Sequence, residues 1–315
     1  MKNQKNNKIK EGFIFGACFV VLLLLTMFIP SLELIVLFIL PVPIAMYGYR
    51  YGWKASAIVG GIILLSISLL AFYFFVISLP LALIALLAGG FIGEALRSQR
   101  HPYETWIRGT IGFALGFLVL ILIVELLVDV SLAKEYQLMI RESLDSTQFL
   151  LGQAGLDLTS EELVNIERQM MVLLDLIPSI LIIASMVYSF VSQWVTHKAL
   201  NKWDHAQLSF PSFRMLQMPK MILWIYLIVI ILSLFNFSGI EMVNVIIINA
   251  SVILSLIFSI QGLSFLLYFL AKKKQPTFVS VLVVILCLII LPIGMYLTRI
   301  LGIIDVGFEL RKRVI

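Results

Sequence analysis

The side chains that could do chemistry in this chain are polar residues placed inside long apolar runs. Glu125 and Asp129 lie four residues apart near the end of one such run, so they share one face of a helix. A charge at the middle of a membrane helix costs about 2.5–3.5 kcal/mol on insertion scales, so such residues need an explanation. The pair predicts a site for a cation, a proton or a positively charged ligand, or else two carboxylates that stand in interfacial water.

A second polar pattern lies between residues 244 and 262, where polar and small residues recur at helical spacing. Such a face either packs against another helix, as small and hydroxyl residues do in membranes, or lines a water-filled cavity. Asn249 and Gln261 lie off this face, and each amide needs a partner because an unpaired amide in hydrocarbon is costly. The residues of this polar stripe are Asn244, Ser251, Ser255, Ser259 and Gly262.

Charged and small residues near the ends of apolar runs predict contacts. Arg97 follows Glu94 by three residues, which predicts either a solvated ion pair or a contact surface for a partner. Gly12 and Gly16 form a small-xxx-small step, which lets two helices approach closely. Further steps of this kind predict a compact bundle, and they are Ser56 with Gly60, Ala85 with Gly89 and Gly93, and Gly112 with Gly116.

Motifs of soluble enzymes are absent from the sequence. It has no phosphate-binding Gly-rich loop with Lys, no H-E-x-x-H and no G-x-S-x-G. Cys18 and Cys287 lie in apolar runs, and His101, His197 and His205 fall in short polar connections, so no metal spacing exists. The sequence therefore predicts a protein that is not an enzyme and has no cofactor. Uphill transport would need an ion gradient or the ATPase of another chain.

The elements that must position these residues are transmembrane helices. Hydrophobic residues make up 61% of the 315 and charged residues 13%, whereas an average soluble domain has about 25% charged residues. This composition excludes a disordered chain, a disulfide scaffold, a coiled coil and an ordinary soluble enzyme. The net charge of +5 fits the cationic cytoplasmic loops of membrane proteins, and no nucleic-acid partner is expected.

Nine apolar runs approach the length of about 20 residues that a helix needs to cross the hydrocarbon core. They predict an all-α fold, a polytopic transmembrane helical bundle of about eight to nine spans with one extracytoplasmic amphipathic helical hairpin. The predicted spans are 12–29, 32–49, 56–76, 79–96, 108–129, 173–196, 219–237, 241–270 and 276–297.

The distribution of Lys and Arg between the spans predicts the orientation. Apart from the C-terminal tail, the side opposite the N-terminus holds only Lys134, Arg141 and Arg168, so a cytoplasmic N-terminus in a bacterial plasma membrane is expected. Nine spans would place the basic residues 311–313 outside. The last segment is therefore expected to fold back near Pro292 and Gly294, unless the count is wrong by one.

The stretch 131–172 is the one sizeable segment outside the predicted spans. Thr159 and Glu162 form a capping box, which predicts the start of an amphipathic helix. The hairpin is expected either to lie on the outer membrane surface or to cover a site. The predicted regions are a basic cytoplasmic N-terminus (1–11), a five-span bundle (12–130), this hairpin (131–172), C-terminal membrane helices (173–297) and an amphipathic or re-entrant tail (298–315).

Four motifs follow one another in a distinctive order along the chain. They are the run Gly-Gly-x-x-Gly-Glu-x-x-Arg that starts at Gly89, Phe213-Arg214 with Pro219 and Trp224, Gln261-Gly262, and Leu301-Gly302-Ile303-Ile304-Asp305 with Phe308 and Arg311. In this order they resemble the YybS-like family of uncharacterised multipass membrane proteins of Gram-positive bacteria. The resemblance covers roughly residues 12–311 and implies a membrane protein to which no established activity can be assigned.

A looser resemblance covers residues 12–130. Its features are the small residues Gly12 and Gly16, the prolines Pro41 and Pro43, and the turn of Tyr49, Tyr51 and Gly52. These features are similar to those of the membrane-embedded substrate-binding subunits of energy-coupling-factor vitamin transporters. The resemblance implies that Gly12 and Gly16 contact another membrane subunit. Those transporter subunits lack the additional helices and the hairpin of this chain.

Two functions are expected from these observations. The first is a small-molecule-binding or transport-related membrane subunit without its own ATPase, with a cavity lined by residues such as Asn244, Ser251 and Glu125. The alternative is a non-enzymatic scaffold or assembly protein of the bacterial cell envelope, which the missing catalytic motifs and the basic loops favour. The expected partners are the lipid bilayer and, for the first function, other membrane subunits and a small-molecule ligand.

Overall fold

The described part of the chain is helical. The computed structural model describes residues 2–29, 32–74, 78–127, 131–153, 159–235, 237 and 240–313, and every regular element in these ranges is a helix. This confirms the predicted all-α class and the polytopic helical bundle. The helices are α1 (Lys2–Phe28), α2 (Glu33–Val36), α3 (Val42–Tyr51), α4 (Trp53–Phe74), α5 (Ser78–Arg97), α6 (Pro102–Leu127), α7 (Leu132–Gln153), α8 (Ser160–Asp175), α9 (Ile177–Trp203), α10 (Lys220–Ser233), α11 (Glu241–Lys272), α12 (Thr277–Ile289), α13 (Leu291–Phe308) and α14 (Leu310–Arg313), with a 3₁₀ turn at Phe213–Met215.

Six helices in these ranges are long and apolar enough to cross a membrane. They lie in α1, α5, α6, α9, α11 and α13, and shorter apolar helices occupy Trp53–Leu69, Lys220–Ser233 and Thr277–Cys287. Apolar side chains such as Leu69 and Leu126 are about four-fifths exposed. Such exposure is compatible with a lipid environment, because lipid tails are as apolar as leucine.

The second predicted span, 32–49, is not a single helix. The short α2 ends at Val36, a turn follows, and α3 begins at Val42 with Pro41 at its N-cap and Pro43 in its first turn. Proline has no N–H for a bond inside a helix, so two closely spaced prolines favour a break. The predicted continuous helix is therefore replaced by two short helices.

The ninth predicted span, 276–297, is also divided. Helix α12 ends at Ile289, and α13 begins at Leu291 with Pro292 in its first turn. A Cβ on Gly294 would overlap the backbone of Cys287. In a straight helix these two residues, seven positions apart, would be separated by about 10 Å along the axis. The chain bends sharply here, where the sequence predicts a fold-back, and α13 continues to Phe308 as a separate helix.

One of the two compact units of the chain consists of Met1–Met171 and Ile180–Phe210. Within this unit, glycines allow backbone contact between helices. A Cβ at Gly93 of α5 would lie 2.5 Å from the carbonyl oxygen of Ala45 in α3, and one at Gly112 of α6 would lie 2.8 Å from the Cα of Ala88 in α5. The close packing predicted from the small-xxx-small steps is confirmed at these positions.

The other compact unit consists of Val172–Ser179 and Pro211–Ile315. Its helices α11 and α13 cross so closely that a Cβ at Gly262 would overlap the carbonyl of Thr298, and one at Gly302 would overlap the carbonyl of Phe258. The ring of Tyr226 in α10 stacks on Phe258 with 5.0 Å between the ring centroids. Glycine is needed at this crossing because there is no space for any side chain.

The predicted hairpin forms as helices α7 and α8. The Thr159 N–H donates to Glu162 Oε2 at 2.9 Å, and the Glu162 N–H donates to Thr159 Oγ1 at 3.3 Å, which confirms the capping box. The bonds from the Thr159 N–H and then its hydroxyl lower the pKa of Glu162. The hydroxyl of Tyr136 in α7 donates to the carbonyl of Met170 in α8 at 3.2 Å.

Candidate functional site

Three of the five residues of the predicted polar stripe lie in helix–helix contacts. Ser255 Oγ is 3.0 Å from the hydroxyl of Tyr226 in α10, and Arg299 in α13 donates to the same Oγ at 3.2 Å. Ser259 Oγ lies 3.0 Å from the carbonyl oxygen of Met295, also in α13, and donates to it. Together with Gly262, these serines favour the packing interpretation of the stripe over the cavity interpretation.

The remaining stripe residues and the two off-stripe amides have separate surroundings. Asn244 is exposed and donates to the carbonyl of Phe237 at 3.3 Å, and Ser251 is half-buried. The Asn249 side chain accepts from the Ser179 N–H at 2.7 Å. Gln261 donates to Asp305 Oδ2 at 2.6 Å. The prediction that both off-stripe amides find partners is confirmed.

The predicted acidic pair is described only in part. Glu125 is exposed near the end of α6, and Asp129 lies outside the described residues. An ion or proton site at these carboxylates therefore stays a prediction.

The two glycines predicted to contact a partner lie where α1 meets α4. A Cβ at Gly12 would lie 3.2 Å from Val59, and one at Gly16 would lie 3.7 Å from the same side chain. Both glycines also line an open apolar groove of about 730 Å³ that reaches from Lys8 to Ser66. The two glycines thus allow α1 to pack against α4. Because they also line an open groove, their contact with another membrane subunit stays a prediction.

Glu94 and Arg97 bind to different groups. Glu94 Oε2 accepts from the N–H of Trp53 at 3.0 Å and so caps the start of α4. Free N–H groups at a helix N-terminus favour such a carboxylate. Arg97 Nη1 donates to the carbonyl of Arg50 at 3.3 Å. Each side chain thus ties α5 to the segment around residue 52.

Arg97 is also part of a polar pocket that sequence analysis did not identify. The pocket has a volume of about 600 Å³ and is formed within one unit by the end of α3, the turn between α5 and α6, and the segment after α9. Its lining residues are Tyr49, Arg50, Leu96, Arg97, Gln99, Arg100, Pro102, Ala206, Gln207, Leu208 and Ser209. We call it the arginine pocket.

An ion cluster fixes one wall of the arginine pocket. Arg50 binds Asp204 through two bonds, Nε–Oδ2 at 3.0 Å and Nη2–Oδ1 at 2.6 Å, and binds Glu11 through Nη1 at 2.7 Å. The bond to Asp204 and then that to Glu11 raise the pKa of the Arg50 guanidinium above its usual value. Arg50 joins α1, α3 and the end of α9, and its charge is compensated by two carboxylates.

Another part of the lining is the loop after α9, which the amide side chain of Asn201 helps to hold. Asn201 Nδ2 donates to the carbonyl of Leu208 at 2.7 Å, and Asn201 Oδ1 accepts from the N–H of Leu208 at 2.7 Å. His205 and Gln207 adopt positive φ angles of 52° and 54° between these two points. Non-glycine residues in this region are uncommon and are often found at functional sites.

Three buried polar atoms without partners lie in the same unit, on α6 and α9. They are Thr105 Oγ1, Gln193 Oε1 and His197 Nδ1, and no described residue pairs with them. Gln193 Nε2 donates to the carbonyl of Pro102, a lining residue of the arginine pocket, at 2.9 Å. Sequence analysis placed His197 in a polar connection, which is wrong, because it lies within α9 and is 4% exposed.

The second polar cluster of the chain lies within the other unit. Arg311 Nε donates to Asp305 Oδ2 at 3.0 Å, Arg311 Nη2 donates to Ser264 Oγ at 3.1 Å, and Arg311 Nη1 donates to the carbonyl of Arg214 at 2.9 Å. Gln261 completes the cluster by accepting from the N–H of Met218 at 3.1 Å. These bonds attach the segment before α10 to α11 and α13.

Comparison with known proteins identifies the family. A family profile described as "Predicted membrane protein (DUF2232)" matches residues 17–306. The chain belongs to the DUF2232 family. It is 27% identical over 312 residues, 99% of each chain, to the uncharacterized protein YybS of Bacillus subtilis (strain 168). No solved structure matches the chain.

The predicted YybS-like resemblance is thereby confirmed. The structure also gives residues of the four sequence motifs local roles in this chain. Gly93 allows α3 and α5 to touch, and Glu94 caps α4. Gln261, Asp305 and Arg311 come from two different motifs and meet in one buried cluster. Spacing in the sequence could not predict this meeting, because 44 residues separate Gln261 from Asp305.

Proposed function

We propose that the protein is a small-molecule-binding or transport-related membrane subunit that has no ATPase of its own. It works in the bacterial plasma membrane with its N-terminus in the cytoplasm. Membership of a membrane-protein family and six helices of spanning length support the membrane location. The concentration of Lys and Arg on one side supports the orientation.

The arginine pocket is the observation that carries this proposal. Its volume of about 600 Å³ falls within the range of roughly 300–1,000 Å³ that is typical of small-molecule sites. Apolar residues such as Leu96 and Leu208 alternate in its lining with cations and amides, the mixture that gives a site both affinity and orientation. In the proposed orientation the pocket faces the cytoplasm.

Filling the pocket with a side chain tests this function. Ser209 is exposed and lines the pocket, so Ser209→Trp should occupy the space without disturbing buried packing. Ser146→Trp in α7 is the matched control, because Ser146 is an exposed serine outside the pocket. Protein purified from its native membrane is analysed by native mass spectrometry for a bound small molecule.

We expect the wild type and Ser146→Trp to retain a ligand that Ser209→Trp lacks. A wild-type protein without any bound molecule, or a ligand that all three proteins retain equally, would contradict the proposal.

A second candidate function is a scaffold or assembly protein of the cell envelope. A groove of about 690 Å³ between α4, α5 and α6 supports it, because Gly60, Gly61 and Gly90 line this groove. A Cβ on Gly61 or Gly90 would meet no described atom within 4 Å, so small residues leave room there for another helix. If envelope proteins co-purify with the wild type but not with Gly61→Leu, the scaffold function is favoured.

A further inference from the structure

The charges that line the arginine pocket all have one sign. Arg50, Arg97 and Arg100 are lining residues, and none of the described residues in the lining is Asp or Glu. A concave site with walls of low dielectric constant strengthens the field of such charges. The pocket therefore favours an anion over a neutral or cationic ligand.

Two of these three arginines, unlike Arg50, have no closely bound carboxylate among the described residues that compensates their charge. Arg50 already binds the carboxylates of Asp204 and Glu11. Arg97 is exposed and donates to a backbone carbonyl, and no described carboxylate forms an ion pair with it. An anion that enters the pocket would meet the guanidinium of Arg97, whose charge no described carboxylate compensates.

Arg100 is paired only weakly. Its Nη1 lies 3.6 Å from Glu104 Oε1, and the same carboxylate oxygen accepts two bonds from Arg108, at 3.0 and 3.2 Å. The Arg100 side chain is 50% exposed. Since Glu104 is shared with a better-placed cation, Arg100 can turn to an incoming anion at little cost.

Arginine and the neutral donors of the lining suit a phosphate group. A guanidinium binds two phosphate oxygens at once, which makes Arg the preferred residue for bidentate phosphate recognition. Gln207 and Ser209 line the same pocket and carry further donors. Their loop is held in place by Asn201 before any ligand binds, which reduces the entropy lost on binding.

We propose that Arg97 and Arg100 bind a phosphate group in the arginine pocket. This inference rests on the proposed function and names the ligand class of the same site. The phosphate belongs either to an anionic phospholipid headgroup or to a soluble phosphate compound. Both present the same charged oxygens to the two guanidinium groups.

The experiment uses the full chain in maltoside detergent, which contains no phosphate. Inorganic pyrophosphate is titrated in one arm by calorimetry, and phosphatidylglycerol is added in the other arm and counted by native mass spectrometry. The test variant is Arg97→Gln with Arg100→Gln. Arg168→Gln is the control, because Arg168 is an exposed arginine on α8 outside the pocket.

We expect the wild type and Arg168→Gln to bind at least one probe, with an affinity at least about tenfold higher than that of the double variant, since each lost bond to a charged group weakens binding strongly. Binding should weaken further as salt is raised. Pyrophosphate binding assigns a soluble source, and phosphatidylglycerol binding assigns a lipid source. If the double variant does not fold, the single variant Arg100→Gln replaces it, because this side chain is half exposed.

Equal affinity of wild type and variant, or no binding of either probe to the wild type, overturns the phosphate assignment. The proposed function is judged separately by Ser209→Trp. If that variant loses a co-purifying ligand whereas the arginine variant retains it, the pocket binds a small molecule and only the phosphate assignment fails.

Discussion

Two arginines, one from each unit, illustrate two different uses of a charged residue. The Arg311 side chain is 9% exposed and donates to a carboxylate, a hydroxyl and a carbonyl. Arg97 is exposed and donates to one carbonyl. A buried arginine whose three side-chain nitrogens all donate within the protein stabilises the fold, whereas an exposed arginine in a pocket keeps donors free for another molecule. In a chain this apolar, the contacts of a charged side chain indicate its role better than the mere fact that a charged residue occurs at that position.

Removal of Arg311 should have the largest effect on stability. Arg311→Ala leaves Asp305, which is 1% exposed, buried without its cation, and breaking such a pair costs about 3–5 kcal/mol. Unfolding by SDS in mixed micelles measures the change. Lys220→Ala breaks a surface ion pair with Glu309 and should cost far less stability than Arg311→Ala, because water and salt screen exposed charges. Similar losses for the two variants would show that the buried cluster is not a structural element.

Gly262 in one unit and Gly90 in the other should respond in opposite ways to an added methyl group. Gly262→Ala places a Cβ against the Thr298 carbonyl and should destabilise by about 1–3 kcal/mol, because the crossing of α11 and α13 must open. The added methyl of Gly90→Ala meets no atom of the described residues within 4 Å, so this variant should raise stability by about 0.5–1 kcal/mol through helix propensity. The same SDS assay compares them. A destabilised Gly90→Ala would contradict the open groove.

Removal of Arg97 should change stability little. Arg97→Ala takes away an exposed side chain, and such substitutions usually stay within about 0.5 kcal/mol. Stability measured beside Arg311→Ala then separates the two kinds of arginine directly. A loss for Arg97→Ala as large as that for Arg311→Ala would remove the distinction between a ligand site and a structural cluster.

The smallest expected effect is the change in folding stability when acid protonates Glu309. Side-chain bonds from Lys220 and then Lys312 lower the pKa of Glu309 from 4.5 to about 2. Because the folded-state pKa is the lower one, this carboxylate stabilises the fold above about pH 4.5, and the contribution disappears as the pH falls towards 2. The difference in stability between wild type and Glu309→Gln should shrink over this range. A difference in stability that stays constant over this pH range would show that the two lysines do not lower the pKa of Glu309.

Local features of the fold could be predicted from the sequence. The capping box of Thr159 and Glu162, the small-xxx-small contact at Gly93, and partners for Asn249 and Gln261 all follow from rules that act over a few residues. The division of the second span was missed, although Pro41 and Pro43 signal it. Apolar length was given more weight there than the missing proline N–H groups.

The candidate site could not be predicted, because it depends on contacts between distant segments. Arg50 meets Asp204 across 154 residues, and Gln193 meets Pro102 across 91. Periodicity within one helix contains no information about such meetings. The same limit explains why the polar stripe stayed ambiguous until the contacts of Ser255 and Ser259 with α10 and α13 were known.

An experimental density map of the full chain, purified from its native membrane into lipid nanodiscs, tests the central claim most directly. We predict non-protein density in the arginine pocket, within hydrogen-bond distance of Arg97 or Arg100 and next to Ser209. A pocket of the same shape that contains only solvent would contradict the claim that this protein binds a small molecule there.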